Sequence, residues 1–212
     1  MMKIVIASKN YSSWSLRGWL ALEQTGAPYE EILISTADAD WHEQTKRVSP
    51  SGKVPLLIDG ELQVHDSLAI VEYLNERFPA AGLWPGDPTA RALARSVVAE
   101  MHSGFLSLRM NMPMDIQANE PGKGHTEDVL ADVARIQEIW RVCRERHGRS
   151  GPFLFGTFTA ADCFYAPVVF RFRSYGVALD ANAKAYCDAM IEEGKVSKWV
   201  QSARREKRIY QE

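Results

Sequence analysis

The chain has 212 residues, a formal net charge of −2 and an apolar fraction of 46%. Such a near-neutral balance provides no strong field to draw it to nucleic acid or an anionic membrane surface. No run approaches the roughly 18 apolar residues of a membrane-spanning helix, and the length suits one large domain or two small ones.

The opening MMKIVIASKN contains an apolar run, Lys3 to Ala7, too short for a secretory h-region and followed by no small-residue cleavage pattern. The expected location is therefore the cytoplasm, and the run itself reads as a buried strand. Ser15 to Thr25 reads as a helix, ended by Gly26 and followed by Pro28. Tyr29 to Ile34 (YEEILI) is a second strand, and ADWHEQTKR is a short polar helix. VPLLIDGELQVHD is a hairpin turning at Asp59-Gly60. Ser67 opens a helix with Ile70, Val71, Leu74 and Phe78 on one face, stopped at Pro79. The order β-α-β-α-β-β-α predicts a mixed α/β sheet with helices packed on it.

PAAGLWPGDP, Pro79 to Pro88, breaks regular structure and marks a boundary. The expected division is an α/β domain over 1–79, a linker over 80–88 and an all-α domain over 89–212. In the second part the pattern predicts one long helix from Thr89 to about Met112, stopped near Pro113. Another runs from Glu127 to His147, and shorter helices start at Ala160, Asn182 and Lys195. Cys143, Cys163 and Cys187 form no C-x-x-C pair and read as buried free thiols. The five histidines are scattered, none paired at helical spacing, so no metal site is expected.

Three short stretches carry candidate chemistry. In SGKVPLL, Gly52-Lys53 lacks the remainder of a phosphate loop. Val54-Pro55 stands at a strand entry, where proline must lie at the start or edge. Either Pro55 simply starts the strand, or a cis bond there turns the Val54 backbone outward to pair with an extended peptide. In HDSLAIVEYL, the contiguous His65, Asp66 and Ser67 diverge too much for a hydrolase triad. Ser67 reads as an N-cap, and a helix end next to the Asp66 carboxylate suits a zwitterionic amino-acid head group as well as a plain cap. In NYSSWSLR, Ser12 and Ser13 sit at the mouth of a helix with no cysteine beside them. They either cap it, or one of them donates a hydrogen bond to a thiolate that a ligand brings, aided by the helix dipole. One groove with all three features fits a short peptide bearing a thiol and a free α-amino acid end: glutathione.

The whole chain resembles the cytosolic glutathione S-transferases, which join a thioredoxin-like domain to an all-helical one. The likeness is strongest over Ser51 to Pro79, with Asp-Ser in place of the commoner Glu-Ser, and in TAADCFYAPVV, where Thr159 and Asp162 have the spacing of a structural capping box. NYSSWSLR is similar to the serine-type classes, above all the zeta class, which includes maleylacetoacetate isomerases; Trp14 stands where that class has cysteine. The resemblance implies that Ser12, with Ser13 as the alternative, bonds the glutathione sulfur. Val54 then pairs with the cysteinyl unit beside a cis Pro55, Asp66 and Ser67 hold the γ-glutamyl end, and Lys53 reaches the glycyl carboxylate. It also implies a homodimer. The second substrate is expected against the Met-rich stretch Glu100 to Met114, near His102, Phe105 and Arg109, where Arg109 either meets an anion or is a surface charge. Arg171 and Arg173 offer a further carboxylate site. The expected activity is thiol transfer to a small electrophile. Glutathione-dependent cis-trans isomerisation and a non-catalytic binding module are the alternatives, with no nucleic-acid or membrane partner in any of the three.

Overall fold

The computed structural model describes residues 1–209. Four strands, β1 (Met2–Ala7), β2 (Tyr29–Ile34), β3 (Leu56–Asp59) and β4 (Leu62–His65), form one sheet in the order β2-β1-β3-β4. β1 runs parallel to β2 and antiparallel to β3, with Ile4 opposite both Glu31 and Leu57. β3 and β4 form the expected hairpin, Leu57 opposite Val64. Side chains alternate between faces with a period of two. Ile4, Ile6 and Leu57 therefore join the main core under α1 (Ser13–Thr25) and α3 (Ser67–Arg77), while Val5, Ile34 and Leu56 form a small cluster with Trp41 of α2 (Trp41–Val48).

A 3₁₀ turn at Pro79–Ala81 follows α3. The Pro/Gly-rich stretch after it is pinned rather than loose: Leu83 and Trp84 are buried, and the Leu83 carbonyl accepts from the Ala160 N–H at 2.7 Å. From there the described chain is helical: α4 (Pro88–Ser103), α5 (Leu106–Asn111), α6 (Glu127–His147), α7 (Ala160–Ser174), α8 (Ala181–Glu192) and α9 (Gly194–Ala203). Residues 210–212 of the expected helical domain lie outside the described residues. The architecture is a thioredoxin-like α/β half followed by an all-α half. α7 is the axis of the second half; of its residues, Arg173 alone is not buried. α1 packs against α7, so one hydrophobic core runs through both halves, from Leu16 and Trp19 to Phe164 and Trp140.

The capping box at the start of α7 has the expected partners. The Asp162 carboxylate accepts from the Thr159 N–H (2.8 Å), the Thr159 hydroxyl (3.2 Å), the Leu154 N–H (3.2 Å) and the Tyr186 hydroxyl (3.1 Å). Two expectations are corrected. The helix expected over Thr89 to Met112 breaks at Gly104-Phe105, because Phe105 turns into the left-handed region (φ 56°) and buries its ring. A Cβ on Gly104 would lie 2.7 Å from the Glu100 carbonyl, and the Asp132 carboxylate takes the Leu108 N–H that the break exposes, at 2.9 Å. Apolar periodicity continues across the break, which is why the pattern alone reads through it. The cap of α3 is Asp66, not Ser67: its Oδ1 accepts from the Leu68 N–H at 2.8 Å, and Ser67 is the first helical residue.

Candidate active site

β1 delivers the chain into a tight turn, Ser8 to Ser12, closed by the Tyr11 and Ser12 N–H groups on the Ser8 carbonyl (3.2 and 2.9 Å). Ser12 caps α1: its Oγ accepts from the Ser15 N–H at 3.3 Å and donates to Ser15 Oγ at 2.7 Å. Ser15 Oγ also accepts from the Ala7 N–H at 3.1 Å, which ties the cap to the end of β1. The first turn of α1 carries no acidic side chain, so its positive end is not neutralised from within. Ser12 lines an open cleft of about 840 Å³; Ser13 is buried and is not among the lining residues.

Val54 and Pro55, joined by a cis peptide, line the same cleft just before β3. Gly18 lets α1 lie against this turn, since a Cβ there would come within 3.0 Å of Pro55 Cγ. Lys53, Asp66 and Ser67 also line the cleft. Asp66 sits at φ 76°, turning the chain so that β4 runs directly into α3. Ser67 Oγ is buried with no hydrogen-bond partner among the described residues, and Thr36 Oγ1, on the same cleft, is too. An unpaired buried polar group costs about 1–3 kcal/mol, which a polar ligand reaching it would remove.

The helical half supplies Arg109 to the cleft wall. Its guanidinium lies 4.9 Å from the centre of the Trp14 ring, and Arg17 lies 4.4 Å from the same ring. Trp14, which lines the cleft, is thus an aromatic plate for two cations. Arg17 is almost fully buried, with Nε and Nη1 unpartnered; burial first, then Arg109 and Arg171, lowers its pKa to about 9. Burial and Arg109 lower Arg171 to about 10. Arg171 donates through Nη1 to the carbonyls of Met112 and, at 3.4 Å, Arg109, so it holds the end of α5. Arg173 points to solvent. His102 stands 3.4 Å from the Asp66 carboxylate and edge-on to Trp14 at 5.2 Å. Burial lowers its pKa, against the pull of Asp66, which favours the neutral ring at pH 7. Neither His102 nor the buried Phe105 is among the residues lining the cleft.

The structure therefore brings Ser12, Lys53, Val54, Pro55, Asp66, Ser67 and Arg109 to one cleft and leaves Ser13, His102 and Phe105 behind its walls. Sequence reasoning missed Trp14 as a plate, Thr36 as an unpartnered hydroxyl and Arg17 as a buried charge. Arg17 had a signal: a lone cation within the apolar run SWSLRGWLAL.

Comparison with known proteins agrees with this architecture. The sequence model of the glutathione S-transferase N-terminal domain matches residues 11–77, and that of the C-terminal domain matches residues 117–189. Glutathione S-transferase Z1 of Arabidopsis thaliana is 35% identical over 171 residues, covering 76% of this chain and 75% of that protein. Among solved structures, a glutathione transferase homologue from Burkholderia with bound glutathione has a TM-score of 0.72 at 21% identity, covering 96% of this chain and 97% of the other. A maleyl pyruvate isomerase, described as a zeta-class bacterial glutathione S-transferase, also reaches 0.72 at 21% identity, covering 95% and 97%. The chain belongs to the glutathione S-transferase family and is zeta-like.

Proposed function

We propose that the protein is a glutathione transferase in which Ser12 hydrogen-bonds the glutathione sulfur. The observation that carries this reading is the shared cleft, which is lined by both Ser12 and Ser67, whose buried hydroxyl beside Asp66 is unpartnered. In this reading glutathione lies extended in the cleft, its cysteinyl unit paired with the Val54 backbone next to Pro55. Its γ-glutamyl ammonium meets Asp66, its α-carboxylate meets the Ser67 end of α3, and its glycyl carboxylate meets Lys53. The division at 80–88 then gives a glutathione half over 1–79 and a second-substrate half beyond it.

The chemistry is activation of a thiol that the substrate supplies. To serve a sulfur, the Ser12 hydroxyl turns its proton from Ser15 Oγ to the ligand, and the uncompensated positive end of α1 adds to the effect. Both favour the thiolate, the attacking nucleophile, by about 1.4 kcal/mol for each pKa unit lowered. Ser12→Ala is expected to leave glutathione bound but raise its thiol pKa by about one unit or more, with roughly tenfold less thiolate near neutrality. An unchanged thiol pKa and rate in that variant would sink the assignment, and Ser13→Ala would be examined next.

A second reading, isomerisation of an anionic substrate, is favoured by Arg109 at the cleft wall with Arg17 behind Trp14. Turnover of maleylacetone with no net loss of glutathione supports it; conjugation that consumes glutathione supports transfer. Arg171 is used by α5, so Arg109 is the residue proposed to meet the anion. A homodimer fits the exposed Leu62 on the edge strand β4, and sedimentation would test it. A reducing compartment such as the cytoplasm fits the three unpaired, buried cysteines.

A further inference from the structure

The turn before Ser12 is not self-sufficient. Of its four amides, those of Tyr11 and Ser12 close on the Ser8 carbonyl. The other two, of Lys9 and Asn10, point away from the turn and need a partner from elsewhere. Both find it in one carboxylate near the end of the chain: Glu206 Oε1 accepts from the Lys9 N–H at 2.8 Å and Oε2 from the Asn10 N–H at 3.1 Å. The segment bearing Glu206 is itself anchored. Gln117 Nε2 donates to the carbonyls of Ala203 (3.0 Å) and Glu206 (3.3 Å), and Arg208 pairs with Asp115 at 3.1 Å. The Ile209 N–H donates to the Tyr11 hydroxyl at 2.8 Å, and Trp199 Nε1 donates to the Lys9 carbonyl at 3.0 Å.

We propose that Glu206 is a positioning residue for the thiol site: the segment after α9 grips the Lys9 and Asn10 amides and thereby fixes the turn that presents Ser12. The inference rests on the reading of Ser12 as the thiol's partner. Two consecutive amides aimed at one carboxylate form a small anion nest, and charge-assisted bonds of this kind are stronger than neutral ones. Without the carboxylate, the turn keeps its two closing bonds, the Thr36 N–H on Ser8 Oγ, Trp199 on the Lys9 carbonyl and the bonds of Asn10 to Asp115, Ile116 and Gln117, but the Lys9 and Asn10 amides lose their acceptor and with it their share in setting the tilt of the turn against α1. A hydroxyl displaced by a fraction of an ångström gives a poorer hydrogen bond to the sulfur, whereas the contacts that bind the peptide, on β3 and α3, do not depend on Glu206.

The test follows the thiolate absorbance of bound glutathione against pH in native protein, Ser12→Ala, Glu206→Ala and Glu206→Gln. Glu206→Ala is expected to raise the thiol pKa by about half a unit, roughly threefold less thiolate at neutrality, with glutathione Kd changed less than about twofold. Glu206→Gln, which keeps one acceptor oxygen, is expected to fall between. If Ser12→Ala shifts the thiol and folded Glu206→Ala does not, the tail has a structural role alone and the proposal fails. If Ser12→Ala itself shifts nothing, the reading of Ser12 fails and the proposal with it. Should Glu206→Ala not fold, Gln117→Ala, which loosens the same segment while retaining the carboxylate, is held to the same criteria.

Discussion

Asp162 and Arg17 are both deeply buried charged side chains, and their surroundings are built in opposite ways. Asp162, at the start of α7, is fully enclosed and accepts from Thr159, Leu154 and Tyr186. Arg17, packed on Trp14, is nearly as deep, yet Nε and Nη1 have no partner and its charged neighbours include Arg109 and Arg171. Burial penalises both charges. One is offset in part by hydrogen bonds that lock a loop to a helix. The other is left with donors unused, at a cost to stability. The first arrangement is what a structural role requires; the second is the kind expected beside the anion site proposed at Arg109.

The largest effect expected from this contrast is at Asp162. Asp162→Ala leaves the Leu154 and Thr159 amides and the Tyr186 hydroxyl without their acceptor, and a loss of about 3–5 kcal/mol in unfolding free energy is expected by denaturant titration. A loss below about 1 kcal/mol would undo the distinction between the two side chains.

The pH dependence sharpens it. Burial pushes the Asp162 carboxyl up from 3.8 to about 6, against its hydrogen bonds. The folded state therefore keeps this proton where the unfolded chain has released it. The contribution is fully present below about pH 4 and is lost as pH rises through about 6, by roughly 1.4 kcal/mol per pH unit across the window. Asp162→Asn removes the titration, so its unfolding free energy relative to the native protein should rise with pH over that range. A constant difference would contradict the assignment.

Arg17 should behave in the reverse sense. Arg17→Met keeps the volume and removes an incompletely paired charge, so stability is expected to hold or to rise by about 1–2 kcal/mol in thermal unfolding. The Michaelis constant for an anionic second substrate is expected to rise about tenfold, with that for glutathione little changed. A large destabilisation with no change in substrate handling would make Arg17 another structural charge. The smallest effect is expected at His102, whose contact with Asp66 is partly exposed. His102→Gln should change glutathione affinity by no more than about twofold, measured by calorimetry.

Much of the candidate site was legible because its parts are local. A strand leading into Ser12 at a helix mouth, a proline at a strand entry, and Asp66-Ser67 ahead of an apolar helix are each written in one short run of consecutive residues. The capping pair Thr159 and Asp162 is legible for the same reason. The identity of the α3 cap was less so, since adjacent Asp and Ser compete for one position and backbone geometry gave it to Asp66. The break at Gly104-Phe105 was hidden because helical periodicity continues through it, and Phe105 accepts a left-handed backbone to bury its ring.

By itself the sequence determined the elements other than the break between α4 and α5, the hairpin, the α/β half followed by helices, and the helix end where Ser12 stands. Those features depend on periodicity, turn chemistry and caps, which act between near neighbours. The tertiary structure alone decided which side chains converge from distant positions: Arg109 onto Trp14, His102 onto Asp66, and Glu206 onto the Lys9 amide 197 residues away. Such pairings follow from how α1 packs on α7 and how the segment after α9 returns across the first turn. Packing of that kind is set by the shape and burial of whole helices, and no short stretch of sequence carries it.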